Sequence, residues 1–303
     1  MQMTDVKRII VGLGELLWDL LPAGKQLGGA PANFAYITSL LGDIGVPASR
    51  VGADALGDEA IRRLSQLGLS AQSIQRDFVH ATGTVKVKIA TDGQPQFEIL
   101  QPVAWDFLDW TAEWRLLAEK ADAICFGSLA QRSPQSQTTV RRFLHAAPPH
   151  AVRVFDVNLR QNFYSKEILA DSMKLANIVK LNHEELPTIM QLFELENRSQ
   201  PESAGRLLSL YELDLICVTR GTKGSLLLSA DQLNEHPGLK VKVADTIGAG
   251  DAFTAALVHG YLRSRSLQEI NATANRVGAW VASQSGATPT PRGGLQHALA
   301  EIA

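Results

Sequence analysis

Three observations predict an α/β fold built on a mostly parallel sheet covered by helices on both faces. Short apolar runs alternate with helical patterns through most of the 303 residues. Those runs are apolar throughout, as strands buried on two faces require. One stretch departs from this texture: Thr84 to Ile89 alternates Val85, Val87 and Ile89 with Lys86 and Lys88. Such alternation marks a half-exposed antiparallel hairpin set into the αβ rhythm.

The bulk composition narrows the class. Apolar residues make up 45% of the chain and charged residues 20%, as in a soluble globular protein. The length suits one large α/β domain, alone or with a small appendage. A formal net charge of -2 supplies no broad basic field, so neither nucleic acid nor an anionic membrane is expected as the main partner. Cys125 and Cys217 each lie in an apolar run and read as buried thiols in a reducing compartment. Met1 to Lys7 is polar, Ile9 to Leu13 is too short for a signal-peptide core, and no apolar run reaches transmembrane length, so a cytoplasmic location is expected.

Arg8 to Leu13 is the first buried strand, and Gly14-Glu15 a bend. Leu16 to Leu21 continues apolar around Asp19. A lone acid there needs partners if buried; it either accepts hydroxyl hydrogens from a polyol or faces water at a strand edge. Pro22 to Gln26 reads as a turn or flap. Leu27-Gly28-Gly29-Ala30-Pro31-Ala32-Asn33 then leads into the helical pattern of Phe34 to Leu41. Its paired glycines permit close backbone approach, and Pro31 suits a first helical turn. The Asn33 amide offers a hydroxyl both a donor and an acceptor, with capping as the competing use. Val46 to Gly52 is a strand and Asp58 to Leu67 a helix. The hairpin turns at Asp92-Gly93 and returns through Phe97 and Ile99; it reads as a flap over a cleft or a dimer-forming edge.

Beyond the hairpin the rhythm resumes. Helices are expected at Trp114 to Lys120, Ser136 to Ala146, Ile168 to Ala176, Pro201 to Tyr211, Ala252 to Leu262, Leu267 to Val281 and Gly294 to Glu301. Strands are expected at Ala123 to Phe126, Val152 to Val157, Ile178 to Leu181, Leu215 to Thr219 and Ser225 to Ser229, with a short β-prone alternation at Val241 to Val243.

The segment Asp245-Thr246-Ile247-Gly248-Ala249-Gly250-Asp251 carries the strongest chemistry. It reads as a strand-to-helix turn with Gly248, Ala249 and Gly250 at the helix entrance. First-turn N–H groups lack intrahelical partners and the helix dipole favours negative charge, so a phosphate fits there. Asp251 beside a phosphate suits proton abstraction from an incoming hydroxyl; an ordinary Gly-rich turn with Asp251 as a cap is the plainer use. Ligands of such sheets bind beyond the carboxyl ends of the strands. Four polar segments fall there: Asp156/Asn158/Arg160, Asn182/Glu185, Arg220 to Gly224, and Asp245 to Asp251. Arg160 suits a phosphoryl clamp. Glu185 near phosphates makes sense with Mg2+ between, direct or through water, or else as charge matching at a helix start. Gly221 and Gly224 either admit a nucleotide or close a hairpin. The chain has no Walker sequence, Gly12-Leu13-Gly14 lacks the third glycine of a dinucleotide fingerprint, and neither a Cys/His metal spacing nor a serine nucleophile elbow is found.

Over essentially its full length the chain resembles the PfkB, or ribokinase-like, sugar kinases. Gly28-Gly29-Ala30-Pro31-Ala32-Asn33 is similar to the family's N-terminal signature and Asp245 to Asp251 to its C-terminal one. Leu13 to Pro22 and Asp156-Val157-Asn158-Leu159-Arg160 look most like the bacterial fructokinase branch. The resemblance implies a single ribokinase-like domain over 1–303. This is a three-layer αβα sandwich with a small β-sheet lid formed by about 16–26 and 82–102. It implies transfer of the ATP γ-phosphoryl group to a primary sugar hydroxyl, with Asp251 as base and the Gly248, Ala249 and Gly250 backbone as anion hole. Asp19, Gly28, Gly29, Asn33 and Gln131 match substrate-binding positions, and Arg160 the arginine that reaches substrate or phosphate. Asn182 and Glu185 match the Asn-x-x-Glu motif that organises phosphate and Mg2+. Thr219, Gly221, Gly224 and Asn275 match nucleotide-binding positions. Asp245, Ile247 and Ser285 fall where many members bind K+. Fructose is the first-choice substrate; ribose, 2-keto-3-deoxygluconate or a nucleoside are alternatives, Trp18, Phe97 and Trp105 being the aromatics able to stack on a base. Ala30 stands where ribokinases carry lysine, against ribose. A homodimer through the lid is a further expectation, and a non-catalytic sensor on the same fold the contrasting one.

Overall fold

The computed structural model describes residues 6–21, 24–89 and 95–302. Thirteen strands fall in these residues: β1 Ile9–Leu13, β2 Leu17–Leu21, β3 Gly24–Gly28, β4 Ile44–Gly52, β5 Ile74–Asp77, β6 Gly83–Ile89, β7 Pro95–Ile99, β8 Ala123–Phe126, β9 Val152–Asp156, β10 Ile178–Asn182, β11 Leu215–Thr219, β12 Ser225–Leu228 and β13 Leu233–His236. The α-helices are α1 Ala30–Leu40, α2 Ala55–Gln66, α3 Ala112–Ala118, α4 Pro134–Ala146, α5 Lys166–Leu175, α6 Glu185–Leu192, α7 Gln200–Leu210, α8 Ala249–Tyr261, α9 Leu267–Ala282 and α10 Leu295–Ala300.

Nine strands form one sheet in the order β13-β12-β11-β10-β9-β8-β1-β4-β5. Pairing is parallel from β11 through β5 and antiparallel only at β11–β12 and β12–β13. Side chains alternate between two cores, as the period of two demands. Val11, Leu13, Ile124, Phe126, Phe155, Val179, Leu181, Ile216 and Val218 face a core closed by α3 to α7. Ile10, Ala123, Cys125, Val154, Ile178, Leu215 and Cys217 face the other, closed by α1, α2, α8, α9 and α10. Both cysteines are buried and unpaired.

The departure at the hairpin is a second, separate sheet of order β3-β2-β6-β7. Val85 stands opposite Ile99 and Val87 opposite Phe97, the register expected from the alternation; the Asp92-Gly93 turn lies outside the described residues. Thr82 anchors the start of this sheet: its N–H and hydroxyl both donate to Asp54, the cap of α2, at 2.8 and 2.7 Å.

Four local expectations change. Residues 24–26, read as turn or flap, are strand, because antiparallel pairing with β2 overrides their glycine and polar content. Strands β5 and β13, not expected from the sequence, lie at the two edges of the large sheet, and neither has an apolar run. Val241 to Val243 is not a strand; 237–243 is irregular and brings the chain to α8. The turn at Asp245 to Asp251 is therefore a loop-to-helix junction.

Candidate active site

A cavity of about 430 Å³ opens between the small sheet and the carboxyl edge of the large one. One face of the small sheet supplies Leu17, Asp19, Val85 and Ile99; α1 supplies Ala30, Pro31, Asn33 and Phe34; the loop after β9 supplies Asn158 and Arg160; the start of α8 supplies Gly248, Gly250 and Asp251. Leu17 and Asp19 point the same way because they are two residues apart on one strand.

The turn at α8 is built for close approach. Gly248 caps the helix at φ 77, in the left-handed region, and a Cβ there would lie 2.5 Å from that of Ala287. Only glycine meets both constraints. Gly250 and Asp251 occupy helical positions whose N–H groups have no intrahelical acceptor. Ala249 differs: its N–H bonds Thr246 O at 3.3 Å and the residue does not line the cavity. The backbone donors of this turn that face the cavity thus reduce to those around Gly248, Gly250 and Asp251.

Asp251 Oδ2 accepts a hydrogen bond from Asn33 Nδ2 at 2.8 Å, joining α8 to α1. This fixes the Asn33 amide with its nitrogen toward Asp251. Burial pushes the Asp251 carboxyl up to about 6; the Asp156 carboxylate adds to the rise, while Asn33, Lys180 and Arg160 oppose it. Burial likewise pushes Asp19 up to about 6, against the pull of Arg160. Gly28 itself does not line the cavity; its bare Cα makes room for Asp19 Oδ2, which would lie 2.4 Å from a Cβ. Gly29 lines the cavity and caps α1 at φ 110. Arg160 is exposed at the mouth, leaning on Asn158 Oδ1 at 3.3 Å.

Other expected site residues are engaged elsewhere. Gln131 lies outside the cavity lining and donates to Gly127 O and Ser172 Oγ, both at 2.9 Å; it supports the β8 turn instead of facing a sugar. Asn182 Oδ1 accepts from the N–H groups of Glu184 and Glu185, a capping role. Glu185 is 5% exposed, and its carboxylate takes Leu159 N–H at 2.9 Å and Asn182 N–H at 2.8 Å. Those bonds tie the Asp156-to-Arg160 loop to α6. Among the described residues no group of three acidic, His or Cys side chains could hold a metal. The donor set therefore does not fit a Mg2+ chelated by three or more protein side chains. Thr219 Oγ1 lies 3.5 Å from Leu181 O. A Cβ on Gly221 would meet open space, whereas one on Gly224 would lie 1.9 Å from His236 O, so Gly224 answers to chain packing. Asn275 is buried and donates to Ser225 Oγ and to Asn271. Asp245 accepts from Ile247 N–H at 3.0 Å and Gly286 N–H at 3.2 Å, drawing the loop that carries Ser285 to the turn.

Three side chains near the cavity have no site role in the sequence reading. Glu15, read only as part of a bend, lines the cavity, and burial pushes its carboxyl up to about 7 against its own backbone N–H and Arg160. Cys125 also lines it, its thiol pushed well up by burial and so kept protonated. Lys180 sits beneath the α8 turn, paired to Asp156 at 3.0 Å. A lysine inside an apolar strand was the available signal.

Against known proteins, the sheet order and the separate small sheet define the class first: this is the ribokinase-like α/β fold. An ATP-bound structure of an uncharacterized sugar kinase from Pyrococcus horikoshii matches with TM-score 0.80 and 29% identity over 98% of this chain and 99% of that one. A Vibrio cholerae fructokinase holding fructose, ADP and a potassium ion matches with TM-score 0.81 and 25% identity over 98% of each chain. By sequence, an Escherichia coli fructokinase is 30% identical, covering 91% of this chain and 93% of its own length. The profile of pfkB family carbohydrate kinases matches residues 22–292. The chain belongs to that family and is an ATP-dependent sugar kinase.

Proposed function

We propose that the chain transfers the γ-phosphoryl group of Mg-ATP to a primary hydroxyl of D-fructose, giving fructose 6-phosphate and ADP. The observation that carries this reading is the meeting of Asp19, Asn33, Asp251 and the α8 turn on one cavity. The sugar would lie between the small sheet and α1, its hydroxyls reaching the Asp19 carboxylate and the Asn33 amide. Asp251 takes the hydroxyl proton as the oxygen forms its bond to the γ-phosphorus and the bond to the β-phosphate oxygen breaks. The N–H groups at Gly248, Gly250 and Asp251, with Arg160 at the mouth, carry the developing charge. The small sheet acts as a lid, excluding water that would otherwise hydrolyse ATP.

Fructose is favoured by the fructokinase relatives over nearly the whole chain. Two of the aromatics able to stack on a nucleoside base point away from that use. Trp18 is buried and donates its ring N–H to Leu56 O at 2.9 Å, and Trp105 is fully buried under Arg132; the Phe97 side chain lies outside the described residues. Potassium activation is supported by the potassium ion of the Vibrio fructokinase and by Asp245, which clamps the two loops where K+ would sit. A sensor without turnover is disfavoured by the intact base and turn.

The test is ADP release from Mg-ATP with fructose, ribose, glucose, 2-keto-3-deoxygluconate, tagatose, inosine and adenosine, with and without K+. Turnover greatest with fructose is expected. Greater turnover with another acceptor would reassign the pocket, and none with any acceptor would refute the kinase assignment of this cavity.

A further inference from the structure

The apolar alternation on the α8 side of the large sheet breaks at two adjacent points. Ile178 and Val154 obey it, but two residues on, Lys180 and Asp156 occupy the next inward positions and are register partners on β10 and β9. Each is at most 5% exposed. Lys180 Nζ lies 3.0 and 3.3 Å from the two Asp156 oxygens. Asp156 also receives α8: Thr254 Oγ1 lies 2.8 Å from its Oδ2 and 3.0 Å from Gly250 O, with one proton to donate between them. The lysine head rests against the anion-binding turn, 3.2 Å from where a Cβ on Gly250 would stand.

A buried ion pair adds little net stability over an apolar pair of the same shape. Here it sits where charge affects chemistry, since Asp156 lines the same cavity as Asp251. We infer that Lys180, with Asp156 and Thr254, is a positioning unit that holds the first turn of α8 and sets the proton affinity of Asp251. The inference rests on Asp251 being the base.

The groups facing Asp251 come from every neighbouring element: Asp156 from β9, Arg160 from the loop after β9, Lys180 from β10, Cys125 from β8, Asn33 from α1 and Glu15 from the bend after β1. Arg160 acts on Asp251, Glu15 and Asp19 alike. The charges that act on Glu15 are Arg160 and Asp251, and those on Asp19 are Arg160 and Asp245. Among the three cavity acids the buried pair acts chiefly on Asp251; it also acts on the Cys125 thiol. Asp156 makes Asp251 harder to ionise and Lys180 makes it easier, so removing them has opposite signs.

The experiment is the pH profile of kcat/KM for fructose at saturating Mg-ATP. It compares the wild type, Lys180→Met, Asp156→Asn and the double variant, with Asp251→Asn alongside. A charge within about 4–6 Å of a carboxyl moves it by about one pH unit or more. The acid limb should move up by about one unit in Lys180→Met, down by about one unit in Asp156→Asn, and return near the wild-type position in the double variant. A purely structural pair would lower the melting temperature of the variants and leave the limb in place; that result overturns the inference. Should Lys180→Met fail to fold, the isosteric Asp156→Asn decides alone, and a limb that does not move down refutes the proposal. Full turnover by Asp251→Asn would instead remove the base assignment itself.

Discussion

Asp19, Asn33 and Asp251 line the cavity, Asn33 and Asp251 bonded to each other, whereas Asn182, Glu185 and Asn275, three of the residues matched to the nucleotide and its phosphates, lie outside it and bond the protein's own groups. The contrast extends to electrostatics. Burial raises Glu15, Asp19 and Asp251, so the proposed sugar side holds acids whose charged form is disfavoured. Glu185 instead receives two backbone N–H groups and holds a loop in place. One side stores unsatisfied chemistry at a cost in stability. The other carries polar side chains already bonded within the protein.

The sharpest way to break this contrast is to neutralise one acid on each side. Asp251→Asn should lower kcat by about 10²- to 10⁴-fold, the usual worth of a general base, with Mg-ATP affinity retained by titration calorimetry. A variant with near wild-type kcat would erase the distinction. Gly248→Ala forces a Cβ against Ala287 at a left-handed residue; disturbing the anion-binding turn should cost about 10²-fold in kcat. Asp19→Asn should act on substrate binding, raising KM for fructose by roughly tenfold, as expected for a lost charge-assisted hydrogen bond. Glu185→Gln should act on the fold, lowering unfolding free energy by about 1–3 kcal/mol in denaturant melts through an unmatched backbone N–H. Asp251→Asn should have the opposite sign and melt higher than the wild type at pH 8.

The smallest effect is the pH dependence of the unliganded protein. Between their unfolded values near 4 and folded values of about 6 to 7, Glu15, Asp19 and Asp251 bind more protons in the native state than in the unfolded chain. Their contribution falls as pH rises through that window, so the melting temperature should be higher at pH 6 than at pH 8. Asp43 acts in a lower window: its hydrogen bonds to His259 and Arg263 outweigh burial and hold it at about 2, so its contribution is lost only as pH falls from near 4 towards 2. A melting temperature rising from pH 6 to pH 8 would count against strained acids on the sugar side.

The same contrast explains what the sequence made legible. Asp19 in an apolar run, Asn33 after paired glycines and Asp251 after Gly248 are side chains that break a local pattern for a ligand, and such breaks can be read. The parallel core strands were equally plain, because burial on both faces leaves unbroken apolar runs. Strands β5 and β13 were not, since Ile74–Asp77 and Leu233–His236 are short edges with little apolar content. Residues 24–28 are strand only because β2 pairs with them. Glu185, Gln131 and Gly224 carry family-like positions whose bonds and contacts in this fold are internal, a distinction spacing cannot make. Lys180 was visible as a charge inside a strand, but its partner is 24 residues away and its meaning appears only when β9 and β10 align.

The most direct test of the central claim is phosphorus NMR of the wild-type protein incubated with Mg-ATP and fructose. A fructose 6-phosphate resonance growing in step with ADP is the predicted result. ADP accompanied by free phosphate without a phosphosugar, or no change in the nucleotide resonances, would contradict it.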